Sequence, residues 1–258
     1  MRLRIFITTS NKNMHCLGPM SYLFNRFWSD HQEVTVVGYD RPQFDLPENF
    51  KFISMGKQEG GPARWATDLR KFFESIDDEF IIHGLEDYYF YEQVDLDLLD
   101  LLIENHLAEN VGRIGLSIGP SRRDHKVLKS YEDFDLIALE QDAEYRIAYQ
   151  FCIWNRQFLI DYLVPGYTPW QCELLGSEKA KEDLRLVLAT KKRCATKYSW
   201  ALRNKRHAEY DYGPLDPAII CEMEEKGLII EEMLQSNVRQ RELNNRSLWK
   251  MLAAKILK

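Results

Sequence analysis

The stretch Phe80-Ile81-Ile82-His83-Gly84-Leu85-Glu86-Asp87-Tyr88-Tyr89-Phe90 decides how the chain is read. An apolar run of strand length, with no polar alternation, belongs to a strand covered on both faces, as in a mostly parallel α/β sheet. The acids that follow it then fall at the carboxyl end of that strand, the edge where open α/β sheets bind ligands. Taken alone, a Glu-Asp pair is more often a solvated turn, so its meaning depends on the rest of the chain.

Upstream, Leu3 to Thr9 reads as a first strand, followed by the polar loop Thr8-Thr9-Ser10-Asn11-Lys12-Asn13. Gly18 to Trp28 carries apolar residues at helical spacing. Glu33 to Asp40 is a β-branched strand ending in an acid, and Phe50 to Ser54 is a short third strand. A helix follows from Pro62, with Trp65, Leu69, Phe72 and Phe73 on a core face and Arg64 and Asp68 on a neighbouring stripe within reach of the strand ends.

Downstream, Val94 to Asn110 is helical and Val111 to Ile118 is a strand. Phe134 to Leu139 and Tyr145 to Trp154 read as further strands, Asn155 to Leu163 as a short helix, and a second helix starts near Trp170. Short strands are expected at Val187 to Thr190 and within Cys194 to Trp200, and residues 120–144 as a whole read as a polar loop over the site. From Asp216 the pattern becomes helical. The alternation predicts a mostly parallel central sheet flanked by helices, with a domain over 1–212 and a helical C-terminal extension over 213–258.

With 258 residues the chain is long enough for a large core. Five scattered cysteines without a Cys-x-x-Cys pair argue against a disulfide framework or zinc site and fit a reducing, cytoplasmic setting. No run approaches the ~20 apolar residues that span a bilayer. A net charge of −6 argues against a general nucleic-acid binder. The tail carries Arg239, Arg241, Arg246, Lys250, Lys255 and Lys258 beside an apolar face, a pattern shared by helices on anionic membranes, helices on partners and ordinary docked helices.

Acids at neighbouring strand ends suit a divalent cation that itself holds a diphosphate. Magnesium and manganese prefer carboxylate oxygens and complete their shell with phosphates and water, so a single protein carboxylate suffices. The strand ending in Asp40, the Arg64-Trp65-x-x-Asp68-Leu69 helix, Leu85 to Phe90, Ile153-Trp154-Asn155-Arg156 and Pro169-Trp170-x-x-Glu173-x-x-Gly176-Ser177 together resemble the GT-A-fold glycosyltransferases. The likeness covers about residues 1–210 and rests on order and spacing. Glu86 stands where that family more often has aspartate; its charge is the same and its reach longer.

The resemblance implies transfer of a sugar from a nucleotide-diphosphate sugar to a carbohydrate acceptor, assisted by Mn2+ or Mg2+. It makes Asp87 the metal ligand with Glu86 beside it, and places Thr9, Ser10, Asp40, Arg64 and Asp68 around the nucleotide. Glu173, expected in the first turn of its helix, becomes the general base, with the acidic pair Glu182 and Asp183 as its rival. Trp154 and Trp170 fit either core packing or a platform for the acceptor sugar. His207, in a basic run, fits either the surface or a late metal ligand, whereas His83 in its apolar strand is expected in the core.

Two other readings share these residues. A nucleotidyltransferase of related topology also uses metal-bound acids, but expects a glycine-rich basic loop after the first strand, and Thr8 to Asn13 has no glycine and one lysine. A sugar-nucleotide fold kept only for binding or scaffolding is the non-enzymatic alternative.

Overall fold

The structure, a computed structural model, describes residues 3–119, 125–203, 209–210 and 214–229. Its strands are β1 (Ile5–Thr8), β2 (Val34–Gly38), β3 (Phe50–Ser54), β4 (Phe80–Leu85), β5 (Tyr88–Phe90), β6 (Val111–Ile118), β7 (His125–Ser130), β8 (Asp135–Leu139), β9 (Cys152–Asn155), β10 (Leu186–Lys191), β11 (Tyr198–Trp200), β12 (Leu202–Arg203) and β13 (Glu209–Tyr210). The helices are α1 (Leu17–Phe27), α2 (Trp65–Glu74), α3 (Leu96–His106), α4 (Arg156–Tyr162), α5 (Pro169–Lys179) and α6 (Pro217–Glu225).

Nine strands form one sheet in the order β3-β2-β1-β4-β9-β6-β10-β8-β7. The four from β3 to β4 pair in parallel, as do β6 and β10. Within this sheet only β8 and β9 run against the common direction. The predicted mostly parallel, helix-flanked α/β sheet is therefore the observed architecture.

The strands sort their side chains by alternation. Ile5 and Ile7 of β1 face a core shared with α1, α3 and α6, whereas Phe6 faces the core of α2 and α4, edge-on to Phe72 and Phe73 at 5.7 and 5.6 Å. Gly84 has a steric reason. A Cβ there would lie 2.5 Å from the Phe151 ring, so its absence lets that ring close over β4.

Helix starts follow their caps. Asp95 accepts from Leu98 N at the start of α3 and Asn155 from Phe158 N at the start of α4. Thr168 and Gln171 form a reciprocal capping box before α5, with Pro169 in its first turn. α6 packs on α1 through Tyr22 and Arg26, both bonded to Glu222.

None of the described helices is long and apolar enough to cross a membrane. No cysteine is in a disulfide, and all but Cys221 are buried. The basic tail from Arg239 and the candidate ligand His207 lie outside the described residues.

Two expectations need correction. The strand read over 145–154 is only β9, because Tyr145 takes a left-handed φ of 54° and the buried Arg146 binds carbonyls rather than a ladder. The expected polar loop at 120–144 contains an edge hairpin, β7–β8. β7 has no apolar alternation to announce it, since its residues are exposed or half-buried.

Candidate functional site

Register places the candidate residues along one edge. Thr8 pairs with Val37 on one side and Leu85 on the other, so Thr9, Gly38 and Glu86 follow at the same level on three parallel strands. The carboxyl ends of β1, β2 and β4 therefore share one rim. β9 runs the other way, with Cys152 beside His83, so its amino end and the preceding segment 145–151 reach the same rim.

On the β2 side, Asp40 and Asn11 clasp each other. Asn11 Nδ2 donates to Asp40 Oδ2 at 2.5 Å, and Asp40 N donates to Asn11 Oδ1 at 3.0 Å. Thr9 is buried with its N–H on Val37 O, and Ser10, half-buried, opens the short 3-10 turn Asn11–Cys16.

Arg64 and Asp68 do reach the strand end. Arg64 Nη2 donates to Asp68 Oδ1 at 2.8 Å, and the Tyr39 hydroxyl donates to Asp68 Oδ2 at 3.3 Å. Burial, helped by the Asp68 charge, pushes the Tyr39 phenol up to about 12, so it stays a donor.

The two acids after β4 differ. Glu86 is buried, at 4% exposure, and its carboxyl is bonded to the Asn13 side chain. Burial, and then the neighbouring Asp87 charge, raise its proton affinity well above the carboxylate range. Asp87 is half-buried at the turn, and its carbonyl accepts from Ala201 N at 2.7 Å. Of the pair, Asp87 is the one whose side chain reaches the surface.

Among the described residues no three His, Cys, Asp or Glu side chains gather into a metal cluster. A hard cation can complete its shell with phosphate oxygens and water, so a single protein carboxylate suffices to hold one.

Across the rim, Tyr149 N donates to Glu173 Oε1 at 2.9 Å. The Glu173 charge is also felt by the Tyr88 phenol, next in sequence to Asp87. Glu173 is the fifth residue of α5, not in its first turn as expected, because the helix starts at Pro169 behind the Thr168 cap. A backbone N–H, rather than the helix end, fixes its carboxylate. Trp170 stands in the first turn of α5, 42% exposed.

Two sequence candidates fail on geometry. Trp154 is fully buried in β9, stacked on Tyr149 at 5.7 Å with Arg113 over its ring at 5.4 Å, so it has no face to offer an acceptor. Asp183 precedes β10 at the amino end of that strand, and β10 runs parallel to β6; it is absorbed by Arg185 and by the Tyr162 hydroxyl at 2.9 Å. The Glu182–Asp183 pair is therefore on the wrong edge to rival Glu173. His83, as expected, is a core residue: it is fully buried, bonded to Thr8 Oγ1 at 3.0 Å, and burial lowers its pKa to about 3.

Sequence reasoning missed Asn11 and Asn13 as the residues that hold the acids, and Tyr39 as the partner of Asp68. The polar loop after β1 was the only signal for the first two.

No protein-family model matches the sequence, and no curated protein matches it. Among solved structures, the chain is similar to S. aureus TarS 1-349, with 15% identity over 78% of this chain and 61% of that chain at a TM-score of 0.48. This chain thus spans 61% of the length of that structure. It is also similar to a cytidylyltransferase from Leptospira borgpetersenii serovar Hardjo-bovis, with 10% identity, 77% and 82% coverage and a TM-score of 0.43. A third likeness is to the bifunctional IspDF from Campylobacter jejuni, with 16% identity, 76% and 52% coverage and a TM-score of 0.39. With TM-scores below 0.5, these likenesses assign no activity to the chain.

Proposed function

We propose that the chain is a GT-A-type glycosyltransferase that moves a sugar from a nucleotide-diphosphate sugar to a carbohydrate acceptor. The observation that carries this reading is the shared rim: Thr9, Asp40 and Asp87 end three adjacent parallel strands, and Glu173 comes to the same rim from the other side of β4. The nucleotide lies against the Asn11–Asp40 clasp and the Tyr39–Asp68–Arg64 group, and its diphosphate lies toward Asp87. A divalent cation, when bound, would be held by Asp87 and would neutralise charge on the departing diphosphate.

In the transfer, an acceptor hydroxyl forms a bond to the anomeric carbon as the bond to the diphosphate breaks. Its proton passes to the Glu173 carboxylate. Tyr149 N holds that carboxylate in place, so the base is oriented before substrate arrives.

The experiment is a thermal-shift screen of nucleotide-diphosphate sugars with and without manganese. A ligand at a hundredfold excess over its Kd stabilises the native state by about 2.7 kcal/mol, roughly 5–10 °C for a chain of this size. One donor class is expected to give that shift, and Asp87→Ala to lose its manganese-dependent part together with donor turnover. Absence of any shift across the screen, with Asp87→Ala unchanged in donor binding and hydrolysis, would sink the reading. A nucleotidyltransferase would instead release pyrophosphate from a nucleoside triphosphate, and a scaffold would bind donor without hydrolysing it.

A further inference from the structure

Beyond the rim just described, an open cleft of about 420 Å3 lies where β6 ends, lined among others by Trp200, Tyr198, Lys197, Glu92, Gln150 and Ser117. Its position follows from register. Ser117 lies beyond Gly115, which pairs with Cys152, and Gln150 precedes β9, so both stand at the ligand edge. Trp200 pairs with Tyr88 across β11 and β5, and the next residue, Ala201, donates its N–H to Asp87 O. The cleft therefore begins beside the acid turn, yet none of its residues is used in the donor reading above.

Its chemistry is specific. The Trp200 side chain is bonded to the Tyr88 hydroxyl, which pins the indole while leaving it 44% exposed. Tyr198 stands perpendicular to it at 6.4 Å and is itself held against Tyr88 at 4.6 Å. A flat, fixed, half-open aromatic surface packs on the C–H face of a sugar ring, and planar polar groups around it suit vicinal hydroxyls. Gln150 supplies such a group, Ser117 adds a hydroxyl that accepts from the Tyr198 hydroxyl at 3.4 Å, and the buried Thr196 hydroxyl, which also lines the cleft, has no hydrogen-bond partner among the described residues. The charges cancel: Lys197 Nζ lies 2.6 Å from Glu92. Phosphate-bearing or acidic ligands would find no unopposed cation there.

We infer that this cleft is the acceptor site and that it takes an uncharged carbohydrate stacked on Trp200, an assignment that rests on the glycosyltransferase reading. The platform sought in the sequence at Trp154 and Trp170 is then at Trp200.

The test uses the full chain and two probe sets, neutral oligosaccharides (maltotetraose, chitotetraose, cellotetraose) and acidic ones (oligogalacturonates), read by saturation-transfer NMR and titration. Neutral probes are expected to bind the wild-type protein. Trp200→Ala should weaken that binding at least about tenfold, whereas Trp200→Phe, which keeps a ring but loses the N–H, should stay within a few-fold. Binding by acidic probes alone, no saccharide binding at all, or equal affinity in Trp200→Ala would overturn the assignment. The nucleotide-sugar thermal shift in the same samples separates the two levels. Where it persists, Trp200→Ala is folded and a negative saccharide result touches this site only; where it is absent from the wild-type protein, the functional reading itself fails.

Discussion

Around β1, β2 and β4 the rim is held by side chains bonded to one another: Asn11 to Asp40, Thr8 to His83, Tyr39 and Arg64 to Asp68. Around β9 and α5 it is held by side chains bonded to backbone. Glu173 and Ser177 accept from Tyr149 N and Ile147 N, and the buried Arg146 donates to the carbonyls of Leu139, Glu140 and Arg185 at 2.7–3.0 Å. The parallel half gets the shape of its loops from adjacent strand ends, so side chains need only join neighbours. The segment before β9 has no ladder partner through 145–148, and buried main-chain groups there need side chains to satisfy them. One half is thus sensitive to which side chains meet, the other to whether a backbone segment is held at all.

Glu173 gives the sharpest way to break this contrast, because it has both a backbone partner and a proposed chemical role. Glu173→Gln can still accept from Tyr149 N but cannot take a proton. Turnover is expected to fall by roughly 10²–10⁴ with the melting temperature and donor affinity unchanged. Near wild-type turnover would reduce Glu173 to a brace.

His83 comes next, within the parallel half. Its folded pKa of about 3 lies below the unfolded value near 6.5, so the fold keeps the neutral ring and binds fewer protons than the unfolded chain between those values. This contribution to stability is complete above about pH 6.5 and shrinks as pH falls toward 3, by roughly 1.4 kcal/mol per pH unit. Urea titrations between pH 4.5 and 6 should show that slope in the wild-type protein and its loss in His83→Asn.

Asn11→Ala tests the smallest term. It removes the clasp on Asp40, and a single hydrogen bond of about 0.5–1.5 kcal/mol corresponds to a roughly two- to tenfold loss of nucleotide affinity, measured by calorimetric titration. Fold stability is expected to be unaffected, since Asp40 is exposed.

The parallel half was legible because its strands are short apolar runs whose ends carry the acids, and both signals are local. β4 and the turn at Glu86 and Asp87 show it most directly. What escaped depends on distant partners. Trp154 is buried because Arg113 and Tyr149 enclose it, and the cleft assembles from the ends of β5, β6 and β11. No spacing rule within any one segment announces either. Glu173 stands out in the sequence for its residue type and neighbours, but its place in α5 is set by a cap at Thr168 that the proline at 169 only hints at.

The antiparallel β9 has a further consequence, for synthesis. It sits between β4 and β6, with ladder bonds to both, so the free edges of two earlier strands wait for a partner whose last residue is Asn155. During translation, at about 5–20 residues per second, β4 emerges complete several seconds before the strand that covers it. In that interval a nascent chain carries an apolar, unpaired strand edge at residues 80–85, the type of surface that chaperones hold and that misassembly exploits.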